Sequence, residues 1–317
     1  MTKKLEQDLR QAREDYYRDG SSNLSDAEYD QMEDELRAVD PDNQLLKEVG
    51  ADTDSGWPKF HHEIPMGSLN KVKNEEQYQD WLNSVGLGVG EFYVSPILMS
   101  EKLDGISIAV QYNGGVYKRA VTRGDGIEGE DITPNVAKMK NVPHTLSSYF
   151  TGWLRGEIVL FKEDWKKYLS DKKNPRNAAA GTAKRHDGEG CEHLTALFYG
   201  ATHSNPSSHS YMRFDSKHEE FSFIANTLEL KTPNVIGPIT IKEVPTFVKI
   251  WQENREDLSY EIDGMVIDID ATAIAKALGE VDNRPKGAIA YKFPPIQKET
   301  TVIDVTWQIG RTGRLTP

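Results

Sequence analysis

Lys102, Asp104 and Gly105 sit together in the segment SEKLDG, just ahead of a run in which Ile106, Ile108, Val110 and Tyr112 alternate with more polar residues. A lysine attacks phosphorus only as the neutral amine, so a nucleophilic Lys102 needs cationic neighbours, burial or a metal to favour that form. Alone, Lys-x-Asp-Gly is equally the sequence of a lysine in a surface turn. Five more segments follow in order: TRGDGIEGEDIT (122–133), LRGEIVL (154–160), NPRNAAAGTAKR (174–185), EIDGMVIDI (261–269) and AIAYKFP (288–294). They supply cations, carboxylates and glycine-bearing turns, the residue types that phosphoryl and nucleotidyl transfer uses to position and neutralise a phosphate.

Together the six segments resemble the covalent nucleotidyltransferases, and most specifically the NAD-dependent DNA ligases. TRGDG-x-x-GED and NPRNAAAG are the most distinctive, and the order and spacing agree over nearly the whole chain. The resemblance implies that Lys102 takes AMP from NAD as lysyl-AMP and releases nicotinamide mononucleotide, for later transfer to the 5′-phosphate of nicked double-stranded DNA. It also implies roles for the matched residues. Arg123 contacts the ribose or the reacting phosphate, Glu157 binds the ribose hydroxyl, and Lys292 neutralises the transferred phosphoryl group. Tyr199 and Val266 cover the two faces of adenine. Ser68 and Leu69 border the adenine pocket, and Asp104, Arg176 and Asp263 complete the set. Mg²⁺ is expected, held through water near Glu157 and Asp263.

The N-terminal residues choose the cofactor. Tyr16 and the run Asp26-Ala27-Glu28-Tyr29-Asp30 resemble the small domain peculiar to the NAD-dependent branch, where aromatic faces and carboxylates hold the nicotinamide half. A pyridinium between tyrosines is a cation–π arrangement. Tyr16, Asp26, Tyr29 and Asp30 are therefore expected to bind NAD.

Three positions depart from the family pattern. The glutamate usual two residues before the lysine is Ser100 here, with Glu101 one step on as its expected replacement. Tyr17 takes the aromatic or histidine place beside Tyr16. Asp268 occupies a position usually held by a lysine aimed at the AMP phosphate, and a carboxylate facing a phosphate repels it. Either another cation (Lys184, Arg185 or Lys286) covers the phosphate, or Asp268 points elsewhere.

The elements that must position these groups follow from periodicity. Leu5, Leu9, Ala12 and Tyr16 share one helical face; Ser25 and Glu28 form a capping box for a second helix burying Tyr29, Met32, Leu36 and Val39. Residues 50–60 read as a linker. Strand-like runs recur at 154–160, 195–201, 261–269 and 287–293, with helical stretches near 75–85, 162–170, 215–229 and 271–279. The expected architecture is α+β: a helical nicotinamide-mononucleotide-binding domain (1–60), a mainly antiparallel-sheet nucleotidyltransferase domain (61–295), and residues 296–317 as the start of an OB-fold.

Composition bounds the rest. A net charge of −12 argues against a self-sufficient DNA binder. One cysteine, Cys191, forms neither an internal disulfide nor a four-cysteine zinc site. No apolar run approaches membrane-spanning length and no signal peptide is evident, so a cytoplasmic setting is expected. DNA sealing is expected to need missing C-terminal domains or a second ligase subunit. The alternative reading is a non-catalytic NAD-binding subunit of a split ligase. An ATP- or RNA-directed transferase is a third reading, and an oxidoreductase is disfavoured because no strand–GxGxxG–helix unit occurs.

Overall fold

A computed structural model of the chain describes residues 2–18, 26–48, 56–87, 96–172, 174–205, 210–212, 214–295, 303–309 and 315–316. Its N-terminal helices are α1 (Thr2–Arg18), α2 (Asp26–Val39) and the short α3 (Gln44–Lys47). They close over a cluster of Leu9, Leu36, Leu45 and Leu46, against which Leu5, Tyr29 and Met32 pack. The expected apolar stripe is therefore present, with one correction. Val39 is 66% exposed, because it is the last residue of α2 and the chain turns away at Pro41. Ser25, the expected cap, and the side chains of Tyr16, Tyr17 and Asp26 lie outside the described residues.

Two five-stranded sheets follow. The strands are β1 (Asn70–Val72), β2 (Ile97–Leu103), β3 (Ile106–Asn113), β4 (Val116–Thr122), β5 (Gly152–Val159), β6 (Thr195–Asn205), β7 (Ser210–Met212), β8 (Val235–Ile239), β9 (Ile262–Ile269) and β10 (Ala288–Lys292). The first sheet has the order β8-β2-β9-β10-β1, antiparallel except for the parallel β10–β1 pair. The second is antiparallel throughout, in the order β4-β3-β5-β6-β7. Side chains alternate along a strand, so each sheet offers one face to a core and one to the space between the sheets. Ile97, Met99, Met265, Ile267, Ile289 and Tyr291 bury the outer face of the first sheet against helices Glu75–Ser84 and Val244–Asn254. Ile108, Val110, Tyr112, Leu154 and Phe198 do the same for the second, against helix Pro175–Ala183.

That last helix is the NPRNAAAG segment. Asn174 caps it by accepting a hydrogen bond from the Asn177 N–H at 2.7 Å, and Pro175 occupies the first turn, where no backbone donor is needed. Ala178, Ala179 and Ala183 are fully buried, which lets the helix lie close to the sheet. No helix among the described residues is long and apolar enough to cross a membrane.

Candidate active site

The inner faces of the two sheets and the edge of the helical region line a cleft of about 1110 Å³. The register of β2, β9 and β10 lays out its floor. Lys102, Gly264 and Lys292 lie side by side; Ser100, Val266 and Ala290 form the next rung; Asp268 and Ala288 form the one beyond. A Cβ on Gly264 would meet the Tyr291 carbonyl oxygen at 2.2 Å. Only glycine fits there, and its bareness leaves the ground between the two lysines open.

The register shifts between Ile262 and Gly264, and the bulge turns Asp263 toward the lysines. Lys102 Nζ donates to both Asp263 carboxylate oxygens at 2.9 Å. Lys292 Nζ stands 3.4 Å from Asp263 and 2.9 Å from Asp30 on α2. Burial would raise the Asp263 pKa, but Lys102, Lys292 and Arg176 outweigh it and hold the carboxyl below its usual range. Asp30 behaves the same way: burial opposes ionisation, and Lys292 and Lys71 prevail. Arg176 pairs with Asp104 at 2.7 Å, and its burial lowers the guanidinium to about 10.

The second sheet supplies the roof. Glu157 on β5 accepts from the Ser107 hydroxyl at 2.8 Å. Burial pushes its carboxyl up to about 7 against the opposing pull of that hydrogen bond, Arg123 and Lys102. Tyr199 is the extra residue of a second bulge, since Arg155 pairs with Gly200 while Gly156 pairs with Phe198. The bulge aims its ring into the cleft opposite Val266. Arg123 follows β4 and is held by its own backbone, whose N–H donates to the Ser107 carbonyl. The next residue, Gly124, has φ +59°, and a Cβ there would fall 1.8 Å from the Glu128 carbonyl oxygen. The buried His62 ring Nε2 lies 3.1 and 3.2 Å from the Thr122 and Arg123 carbonyl oxygens and fixes the same turn.

Lys102, Asp104, Arg123, Glu157, Arg176, Tyr199, Asp263, Val266 and Lys292 thus share one cleft, with Ser68, Leu69, Tyr29 and Asp30 at its margin. Glu101 does not replace the missing glutamate. Its neighbours on β2 alternate, so its carboxylate emerges on the opposite face, 2% exposed, hydrogen-bonded to Asn234, Trp251 and Tyr260. Ser100 is the residue that faces the cleft. Asp268 also corrects the expected phosphate clash. It lies four residues along β9 from Gly264, about 13 Å from the lysine rung at ordinary strand rise. Of the cations considered for the phosphate, Lys184 pairs with Glu130, and Arg185 with Asp187 and Glu189.

Sequence reasoning passed over Ser107, His62, Lys71, Lys217 and Glu220. Ser107 could have been found as the polar residue that follows the Lys102-Leu103-Asp104-Gly105 segment on the strand, and Lys71 as a cation directly after Ser68-Leu69-Asn70. Lys217 and Glu220 left no mark, because only the tertiary fold brings their helix to the cleft.

The sequence profile of the NAD-dependent DNA ligase adenylation domain matches residues 54–296. A DNA ligase of Sorangium cellulosum is 39% identical, with 99% of this chain aligned to 48% of that protein. DNA ligases of Fusobacterium nucleatum and Rickettsia canadensis are each 33% identical, over 99% and 95% of this chain and 47% and 46% of theirs. The chain spans about half the length of the curated relatives it matches. On this profile and these relatives, it belongs to the family of NAD-dependent DNA ligase adenylation domains.

Proposed function

We propose that the chain is the adenylation module of an NAD-dependent DNA ligase, in which Lys102 is the nucleotide acceptor. Lys102 Nζ attacks the α-phosphorus on the AMP side of NAD. A P–N bond forms, the P–O bond of the pyrophosphate breaks, and nicotinamide mononucleotide leaves with the electron pair. No oxidation state changes. The observation that carries this reading is the floor of the cleft: an amine held by a bulged carboxylate, a second cation two strands away across a bare glycine, and Val266 opposite Tyr199 one rung further.

Each group then has a task. Attack needs the neutral amine, so the Lys102 proton must leave before the bond forms. Asp263 aims Nζ into the cleft. Lys292 offsets charge on the transferred phosphoryl group, which is the main electrostatic contribution in such reactions. Tyr199 and Val266 sandwich the base, and Glu157 accepts from the ribose. Tyr29 and Asp30, together with Tyr16 and Asp26, hold the nicotinamide half, which places residues 1–60 as its binding domain beside a nucleotidyltransferase domain at 61–295. Residues 296–317 are read as the first strands of an OB-fold.

Among the described residues no three His, Cys, Asp or Glu side chains converge as a metal cage. Asp263 already accepts from Lys102 through both oxygens, so Glu157 and Asp263 would hold Mg²⁺ through water, which suits an ion that keeps several waters and takes phosphate oxygens as ligands. When bound, Mg²⁺ supplies positive charge to the phosphates. Transfer of AMP to nicked DNA is proposed to require regions corresponding to the relatives' other half, on the same polypeptide or on a second ligase subunit.

Intact-mass measurement after incubation with NAD and Mg²⁺ tests the acceptor. One AMP should be added to the wild type and none to Lys102→Ala. An adduct that persists on the alanine variant would overturn the assignment.

A further inference from the structure

The proposed reading fixes where the base of the dinucleotide must lie. Its phosphate meets the Lys102–Lys292 rung and its ring fills the gap between Val266 and Tyr199, so its far edge reaches the third rung, at Asp268. The polar groups there are few. Ser100 is buried, faces the cleft, and its hydroxyl has no hydrogen-bond partner among the described residues. The Asp268 carboxylate faces the cleft too, and no described donor reaches it. The other charges nearby are already committed. Glu220 accepts from the Ala201 N–H at 2.6 Å and from Lys217 Nζ at 2.8 Å, and Lys217 also donates to the Tyr199 carbonyl at 3.0 Å. Asp270 accepts from the His218 N–H.

The base edge therefore meets a carboxylate, which only accepts hydrogen bonds when ionised, and a hydroxyl, which does either. Adenine offers N1 as an acceptor and its 6-amino group as a donor. Guanine and hypoxanthine offer the reverse: N1–H is a donor and O6 an acceptor, and guanine adds a 2-amino donor beside N1–H. A carboxylate takes guanine's two parallel N–H groups as a bidentate pair, the geometry that makes charge-assisted contacts strong. The Ser100 hydroxyl then donates to O6. Adenine in the same place sets its N1 lone pair against the Asp268 charge.

We propose that Asp268 and Ser100 read the base edge of the dinucleotide and select a 6-oxopurine, guanine before hypoxanthine, over adenine. The inference rests on Lys102 as the acceptor. The transfer is unchanged: the P–N bond to Lys102 forms, the pyrophosphate P–O bond breaks, and nicotinamide mononucleotide departs. Only the base carried on the adduct differs.

The test compares the rate of adduct formation with NAD, nicotinamide hypoxanthine dinucleotide and nicotinamide guanine dinucleotide, each read by intact mass. The wild type should react fastest with the guanine dinucleotide. Asp268→Asn, nearly the same shape, should reduce the guanine-to-adenine rate ratio by about tenfold or more, the value of a hydrogen bond to a charged group. Asp268→Lys should invert the preference. Circular dichroism and thermal melting check that each variant is folded, and ligand-induced melting shifts on Lys102→Ala rank the three dinucleotides without any chemistry. A wild type that prefers NAD, with a ratio unmoved by Asp268→Asn, overturns the base assignment and leaves Lys102 standing. No adduct with any of the three dinucleotides overturns the Lys102 reading and this inference with it.

Discussion

Glu157 shows how a single side chain is held in tension for its task. It sits in a sheet interior with one hydroxyl partner, and burial raises its carboxyl from an ordinary glutamate to about 7. A carboxyl whose folded pKa is raised contributes its stability in full below the unfolded value near 4.5, and loses it as pH rises through about 7. Above that pH an ionised Glu157 costs up to about 3 kcal/mol. Glu157→Gln should thus melt like the wild type at pH 5 and higher than it at pH 8 in metal-free buffer, while forming the AMP adduct far more slowly. Equal melting temperatures at pH 8 would show that the carboxylate finds compensation in the cleft. Lys292→Ala should slow adduct formation by about a hundredfold or more, the scale of losing one preorganised charge at a reacting centre. Residue types and order made most of these groups legible in the sequence, because chemistry restricts what can stand beside a phosphate. Glu101 was misassigned because a shift of one residue along a strand reverses the face, and no motif comparison weighs that.

At the level of elements, strands and amphipathic helices were legible and their irregularities were not. The runs 154–160, 195–201, 261–269 and 287–293 are strands because β-branched and aromatic residues alternate or cluster there. Helix Val244–Asn254 escaped notice, since Val, Pro, Thr and Phe open it and read as strand or turn. The bulges that aim Asp263 and Tyr199 have no local code, being set by how neighbouring strands pair. The contact between α2 and β10 is equally long-range: Asp30 bridges Lys71 at 2.6 Å and Lys292 at 2.9 Å. Asp30→Ala should lower stability by about 3 kcal/mol, as for a broken buried pair, and should raise amide exchange in α2 more than in the sheets. The pH sign follows from a depressed carboxyl. Its stabilising effect is present above its unfolded value of 3.8 and is lost as pH falls through the lower folded value. Exchange in α2 should therefore accelerate, relative to the sheet strands and after correction for intrinsic rates, as pH falls below about 4 in the wild type, and less steeply in Asp30→Ala, where Glu33, also held low by Lys71, keeps part of the dependence.

For the whole molecule, the α+β class with antiparallel sheets followed from the order of strand and helix runs, whereas the meeting of two sheets around one cleft did not. Charge belongs to this scale as well. At −12 the chain repels a polyanion overall, and its cleft lysines are paired with Asp30, Glu33, Glu130, Glu220 and Asp263. With acidic side chains outnumbering basic ones, affinity for duplex at physiological salt should be weak. Adduct formation and sealing should then separate. Residues 1–317 should become adenylated by a dinucleotide yet fail to close a nick, because sealing needs the 5′-phosphate and 3′-hydroxyl held in line, a positional demand worth many orders of magnitude in rate. A gel assay on nicked duplex, with and without a protein supplying the DNA-gripping regions of the relatives' other half, distinguishes the two steps. Sealing should appear only in the mixture, and should fall steeply as salt is raised. Efficient sealing by the 317 residues alone would mean that the cleft itself grips DNA, and the acidic balance would then be masking a local basic path.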